Sequence, residues 1–193
     1  MNEHLTPIFE AVIPAIENAG ISYWVYGGIA IAGINGEFVR VNTDVDLIVL
    51  NEQYQAAIDL IEPLGRKLGW TFQDTNFRNR PKREWFEYGN DKDLLSIMPV
   101  YKNDGSVRII FQTSENDYPI SLLTQQQRTI GTYVFFTPDK SYIKDLFIRN
   151  LKYLIKSGKF QDRPGLRDKY EKDANVILND EERNSFWGPY RQK

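Results

Sequence analysis

Two aspartates, two residues apart, stand at the start of an aliphatic run: Asp44-Val45-Asp46-Leu47-Ile48-Val49-Leu50. Such a run is typical of a buried strand, and the two-residue period of a strand places both carboxylates on one face. Neighbouring acids repel each other unless a positive group is held between them. Mg²⁺ would meet this need, because it prefers hard oxygen ligands and lets phosphate oxygens complete its shell.

A pair of glycines, Gly27 and Gly28, precedes the aspartates. Because glycine has no Cβ, its backbone N–H groups can approach a phosphate closely where a helix begins. The glycines and the acids together predict a nucleotide site.

The elements that would position these groups follow from the hydrophobic pattern. Helical spacing covers 5–18, 29–34, 51–68, 138–155 and 166–178, and strand patterns cover 21–26, 45–50, 71–73, 84–88, 94–100, 107–111 and 133–136. Turn-forming residues at 89–93 predict a hairpin between the strands on either side of them. The pattern predicts one compact unit that mixes helices and strands.

Composition excludes several classes of protein. The 26 acids and 24 Lys and Arg leave a net charge of -2, which disfavours a strongly basic nucleic-acid binder. The absence of cysteine excludes disulfides, thiolate catalysis and Cys-ligated zinc. The one histidine, His4, is expected to be a solvated terminal residue. No apolar run approaches the roughly 20 residues needed to cross a bilayer, and no basic export signal opens the chain, so a cytoplasmic protein is expected.

The glycine pair, the following helix and the spacing Arg40-x-x-Thr43-Asp44-x-Asp46 together resemble the defining motif of the DNA polymerase β-like nucleotidyltransferase superfamily. The similarity is greatest to its small members: minimal nucleotidyltransferases of toxin–antitoxin pairs, AbiEii-like proteins, and aminoglycoside and lincosamide nucleotidyltransferases. The resemblance implies an α+β nucleotidyltransferase fold, a mixed β-sheet flanked by helices with a C-terminal helical extension. A core over 1–115 is expected, with the remaining strands and C-terminal helices in 116–193 packed on it.

The same resemblance implies roles for particular residues. Asp44 and Asp46 would bind Mg²⁺ and act in catalysis. The residues expected to bind the triphosphate are Gly27, Gly28, Arg40, Thr43 and Lys144. Lys144 and the stretch Arg167-x-Lys169-x-x-Lys172-Asp173 are similar to the C-terminal helices of AbiEii-like proteins. A structural pairing of Arg40 with a carboxylate, and a capping or turn role for Thr43, remain open as alternatives.

A third acid on a later strand completes the site in this superfamily, and here the chain departs from the pattern. Ser96 occupies the expected position in Leu95-Ser96-Ile97-Met98-Pro99, and serine cannot act as a carboxylate base. Asp93 is taken as the substitute catalytic acid, although it has the opposite strand parity. Glu87 and Glu84, on the preceding strand, are the other candidates.

The resemblance implies a Mg²⁺-dependent transfer of a nucleoside monophosphate from a triphosphate, with ATP as the expected donor, to an acceptor hydroxyl. The acceptor would be a small molecule such as an antibiotic, a protein hydroxyl or a tRNA end. Ser96 leaves an alternative open: a catalytically impaired nucleotide-binding or antitoxin-like protein that acts through a protein partner. No membrane partner is expected.

Overall fold

A mixed β-sheet forms the centre of the computed structural model, which describes residues 2–72, 86–90, 94–110 and 115–187. Its strands are β1 Tyr23–Tyr26, β2 Asp44–Leu50, β3 Thr71–Phe72, β4 Phe86–Gly89, β5 Leu94–Asn103, β6 Ser106–Ile110 and β7 Glu115–Pro119. Their order in the sheet is β1-β2-β5-β4-β3, with β6 paired to β5 and β7 to β6. A separate hairpin consists of β8 Gln126–Ile130 and β9 Tyr133–Thr137.

Strand β5 organises the sheet. It runs parallel to β2 along one edge, while on the other edge β4 pairs antiparallel with its first half and β6 with its second half. The pairing of β4 with β5 confirms the predicted hairpin partners, although part of the turn lies outside the described residues. This arrangement places three strand faces, those of β2, β5 and β4, side by side.

Helices pack on both faces of the sheet. Their bounds are α1 Ile13–Asn18, α2 Gly27–Asn35, α3 Asn51–Lys67, α4 Lys140–Lys156, α5 Lys159–Asp162, α6 Pro164–Ile177 and α7 Asp180–Trp187. A π-helical segment, Ile8–Val12, leads into α1, and a 3₁₀ turn, Ile120–Leu123, follows β7. No helix within the described residues is both long and apolar enough to cross a membrane.

The alternation of β2 divides its side chains between two environments. Val45, Leu47 and Val49 belong to the cluster that includes α1 and α3. Ile48 and Leu50 belong to a second cluster on the opposite face. Side chains two residues apart lie on the same face of a strand. Asp44 and Asp46 therefore share the face of Ile48 and Leu50 and lie at the N-terminal end of β2.

Within the described residues, two strands, β7 and β8, and two α-helices, α5 and α7, were not predicted. Strands β7 and β8 are rich in polar residues and are stabilised by pairing with β6 and β9, a tertiary effect that local pattern does not show. Helix α5 has only four residues, too few to give a helical period. Strand β7 crosses the predicted boundary at 115/116, and the division of the chain there stays a prediction.

Candidate active site

Four side chains form a row across four adjacent strands. Strand register pairs Tyr26 of β1 with Asp46 of β2, Asp46 with Ser96 of β5, and Ser96 with Glu87 of β4. Residues paired directly across strands direct their side chains to the same face of a sheet. All four line one cleft, and Asp44 joins them from two residues earlier in β2. The sheet therefore presents three carboxylates on one face.

The cleft has a volume of about 640 Å³ and lies between this face of the sheet and the C-terminal helices. Helix α2 begins beside it at Gly27 and Gly28, and α4, α5 and α6 supply the opposite wall. The residues from that wall are Ile143, Leu146, Phe147, Arg149, Asn150, Tyr153, Leu154, Lys159, Leu166, Lys169, Tyr170 and Asp173, with Arg163 between α5 and α6. Apolar, aromatic and cationic side chains thus face the acids.

The electrostatics of the acidic face are unfavourable without a cation. Burial raises the pKa of Asp46 well above its ordinary value, and the negative charges of Asp44 and Glu87 raise that pKa further. The cations Lys169 and Arg40 oppose the rise. Among the described residues, neither Asp44 nor Asp46 has an ion-pair partner within 4.0 Å. The carboxylate pair is therefore suited to binding positive charge.

Gly27 lies directly against Asp46. Its φ is +67°, in the left-handed region, and a Cβ added there would overlap Asp46 Oδ2. Helix α2 starts at this glycine, and the side chain of its N-cap residue, Tyr26, makes no capping hydrogen bond. The first amides of α2 therefore lie next to the acidic pair and can bind an anion.

Gly28 leaves room for two side chains of the loop before β2. An added Cβ would overlap Arg40 Nη2 and lie 2.5 Å from Asn42 Oδ1. Close approach to a phosphate was the predicted reason for this glycine. The structure shows that close approach of the protein's own Arg40 and Asn42 already requires it.

Arg40 joins the motif loop to helix α6. Its Nε lies 2.7 Å from Asp173 Oδ1 and its Nη2 lies 2.9 Å from Asp173 Oδ2, and both side chains are buried. The bidentate geometry matches the planar fork of a guanidinium to a carboxylate. The structural alternative for Arg40, pairing with a carboxylate, is therefore the arrangement found, although Arg40 also lines the cleft.

The N-terminus holds the same loop from the other side. The Asn2 side chain donates to Arg40 O at 2.9 Å and accepts from Asn42 N at 2.7 Å. The His4 ring nitrogen Nε2 lies 2.7 Å from Asn42 O and is half-buried. The expectation that His4 is merely solvated is wrong, because it anchors this loop.

Solved structures of known proteins share this architecture. The antibiotic-resistance factor ANT(2'')-Ia, in complex with adenylyl-2''-tobramycin, gives a TM-score of 0.63 at 16% identity, over 98% of this chain and 97% of that one. The lincosamide antibiotic adenylyltransferase LnuA, bound to lincomycin, gives 0.53 at 16% identity, over 72% and 82%. A protein from Thermotoga maritima described as a candidate nucleotidyltransferase gives 0.54 at 14% identity, over 84% and 94%.

The chain has the nucleotidyltransferase fold. This confirms the predicted α+β class with a mixed sheet flanked by helices. No protein-family model and no curated protein matches the chain.

Three predicted residues lie away from the row or outside the described part of the chain. Thr43 is exposed, and its Oγ1 lies 3.4 Å from Asp44 Oδ1. Lys144 pairs with Glu182 of α7 at 2.5 Å, on a different side of α4 from the residues that line the cleft. Its role as a triphosphate ligand stays a prediction that this geometry does not favour. Asp93 lies outside the described residues.

Lys169 is a cleft residue that sequence reasoning did not assign to the site. It lies one helical turn before Asp173 on α6, and its charge acts on both Asp46 and Asp173. The four-residue spacing of Lys169 and Asp173 is the signal that could have identified it, because residues i and i+4 share a helix face.

The acidic face offers two carboxylates, Asp44 and Asp46, as ligands for Mg²⁺. Within the described ranges, no group of three or more acidic or histidine side chains is arranged to hold a metal ion. Two carboxylates from one strand face, Asp44 and Asp46, are nevertheless hard oxygen ligands beside the start of α2, whose first amides can bind an anion. Mg²⁺ is commonly held by one or two carboxylates, with substrate phosphates and water in its other positions. The residues therefore fit a metal that arrives with a nucleotide.

Proposed function

We propose that the protein is a Mg²⁺-dependent nucleotidyltransferase that moves a nucleoside monophosphate from a triphosphate to an acceptor hydroxyl. The observation that carries the proposal is the close approach of Gly27 to Asp46, which brings the start of α2 against a carboxylate pair in a cleft. The fold shared with ANT(2'')-Ia and LnuA supports the same reaction class.

The donor triphosphate would be held from two sides. The first amides of α2 bind its phosphates, because the helix start carries unsatisfied N–H groups and a partial positive charge. Across the cleft, Lys169 and Arg163 add positive charge, and the described residues show no ion pair for either side chain. Asp44 and Asp46 would hold the metal, which would neutralise charge on the reacting phosphate.

The acceptor would enter along the wall made by the C-terminal helices. Tyr153 there is 40% exposed, and Lys159 lies over its ring with Nζ 4.9 Å from the centroid. An exposed aromatic ring in a cleft offers a flat apolar contact to a small organic molecule. A small-molecule hydroxyl is therefore the preferred acceptor, ahead of a protein hydroxyl or a tRNA end.

Transfer of labelled nucleotide tests this proposal. The protein is incubated with Mg²⁺, each α-labelled nucleoside triphosphate in turn, and a panel of acceptors: lincomycin, tobramycin, the protein itself and tRNA. We expect label on an acceptor with the wild type, with ATP as the expected donor, and loss of at least 100-fold in Asp44→Asn and with EDTA. Equal transfer rates for the wild type and Asp44→Asn would show that the aspartates take no part in the reaction.

Ser96 favours a second candidate, a nucleotide-binding protein without turnover that acts through a protein partner. Serine stands where the superfamily motif is expected to carry its third acid. Calorimetry separates the two candidates: tight binding of ATP with Mg²⁺ and no transfer, unchanged in Ser96→Asp, supports the binding role. Turnover gained only in Ser96→Asp would indicate an active site that has lost its base.

A further inference from the structure

We propose that Glu87 is the general base of the reaction, a carboxylate supplied from β4 in place of the acid missing at Ser96. The inference rests on the proposed function and adds to it the residue that takes the proton from the acceptor hydroxyl. It replaces Asp93, the acid that the sequence suggested.

Strand register carries the proposal. Ser96 is paired with Asp46 on one side and with Glu87 on the other, so the three residues lie in one line across β2, β5 and β4. Adjacent strands are about 4.8 Å apart. The backbone of Glu87 is therefore one strand spacing beyond the position where the third acid is expected, and its side chain is longer than that of aspartate by one methylene.

The size of Ser96 leaves the space between the two carboxylates open. Ser96 is buried in the floor of the cleft, and a serine side chain is shorter than either neighbour. Glu87 is also buried, lines the same cleft, and is close enough for its charge to act on Asp46. An acceptor oxygen above Ser96 would have an acid on each side.

The positions along the row also match the direction of an in-line displacement. Gly27 and the start of α2 lie on the β1 side of Asp46, and Glu87 lies on the opposite, β4 side. If the phosphates bind at α2, the leaving pyrophosphate lies on the β1 side. The acceptor oxygen must then approach from the β4 side, because attacking and leaving oxygens are aligned on opposite sides of the phosphorus.

A base role fits better than a metal-ligand role. Asp44 and Asp46 lie two residues apart on β2, whereas Glu87 lies on β4, with β5 between the two strands. Glu87 is therefore placed to act on the acceptor, and Asp44 and Asp46 are placed to bind the metal.

The acceptor O–H gives its proton to the Glu87 carboxylate as the oxygen forms a bond to the α-phosphorus. The bond from the α-phosphorus to the bridging oxygen breaks, and pyrophosphate leaves with that electron pair. Glu87 then releases the proton to water.

Single-turnover kinetics of Glu87→Gln test the proposal, with binding of a nonhydrolysable triphosphate and Mg²⁺ measured in parallel. General-base catalysis contributes about 10²–10⁴-fold to rate. We expect a loss of that size in the transfer step, a dissociation constant within twofold of the wild type, and loss of the acid limb of the pH–rate profile. Glu87→Asp keeps a carboxylate, so it should retain the acid limb of the pH–rate profile at a reduced rate. If Glu87→Gln folds poorly, the pH–rate profile of Glu87→Asp tests the assignment in its place.

A rescue variant makes the test specific to the line of three residues. The double variant Glu87→Gln/Ser96→Asp places a carboxylate on β5, one strand nearer to Asp46 than Glu87. We expect its transfer rate to be at least 10-fold higher than that of Glu87→Gln alone. Glu10→Gln, which neutralises an exposed acid of the N-terminal helix, is the control and should keep the wild-type rate. A wild-type rate in Glu87→Gln, or a loss in Asp93→Asn that Glu87→Gln does not share, would overturn the assignment. Because Asp44→Asn tests the reaction independently of Glu87, failure of this inference is distinguishable from failure of the proposed function.

Discussion

The guanidinium of Arg40 binds both carboxylate oxygens of Asp173, at 2.7 and 2.9 Å, across 133 residues of sequence. Arg40 belongs to the loop that leads into the aspartate pair, and Asp173 belongs to α6, which also carries Lys169. The pair therefore fixes the cationic wall of the cleft relative to its acidic floor.

Breaking this pair should strongly destabilise the protein. Arg40→Ala leaves the Asp173 carboxylate buried without its partner, which costs about 3–5 kcal/mol in such cases. Urea denaturation measures the loss, and a double-mutant cycle with Asp173→Ala should show that the two losses are not additive. Arg108→Ala breaks an exposed pair with Asp117 and is the matched control, with little change expected. Equal effects of Arg40→Ala and Arg108→Ala would contradict the structural role.

Substitution of Gly27 should weaken nucleotide binding through a clash with Asp46. Gly27→Ala combines a strained positive φ with a Cβ that overlaps Asp46 Oδ2, so both α2 and the carboxylate must move. Gly20 has the same φ of 67° but nothing within 4 Å of an added Cβ. Gly20→Ala therefore controls for backbone strain alone. Fluorescence titration with a labelled triphosphate should show at least 10-fold weaker binding in Gly27→Ala and unchanged affinity in Gly20→Ala.

Lys169 should contribute to triphosphate affinity. Lys169→Met removes a cation that faces the acidic pair, and charge-assisted hydrogen bonds contribute about 1.5–3 kcal/mol, so binding should weaken by roughly 10–100-fold. Lys172→Met, three residues later and exposed, removes the same charge outside the cleft lining. Calorimetric titration at low and high salt compares the triphosphate affinities of the two variants. A similar loss in both variants would indicate a general charge effect instead of a local contact.

Asp46 should destabilise the metal-free protein at neutral pH. Its folded-state pKa is raised by burial and by Asp44, so between the ordinary value of 3.8 and the raised value the folded state binds more protons than the unfolded state. Stability therefore falls as pH rises through that window, and Asp46→Asn removes the fall. With EDTA at pH 7.5 we expect the Tm of Asp46→Asn to exceed that of the wild type by about 2–4 °C, the shift that 1 kcal/mol gives at this size.

The same measurement has two internal checks. The difference in Tm should shrink as the pH falls below 3.8, because both states then carry the proton. Added Mg²⁺ should raise the Tm of the wild type and leave that of Asp46→Asn unchanged. A variant that is less stable than the wild type in EDTA would show that Asp46 has a structural partner instead of an electrostatic cost.

Local pattern was sufficient for the main elements and for the acidic pair. The aliphatic run of β2, the helical spacing of α3 and α4, and the glycines before α2 are short-range signals, because burial on one face imposes a period on neighbouring residues. Strands β7 and β8 were missed since their polar residues are held by pairing with distant partners. Lys144 was expected at the cleft, but the rotation of α4 directs it to Glu182.

That two carboxylates share a strand face near a glycine pair follows from local sequence, because a two-residue period and the absence of Cβ are properties of the local chain. The surroundings of these carboxylates depend on the folded chain. It placed Asp173 against Arg40 and Lys169 toward Asp46, and it aligned Glu87 with Asp46 through Ser96. Strand order and register bring these residues together. Both depend on contacts between residues far apart in the chain, which no local pattern encodes.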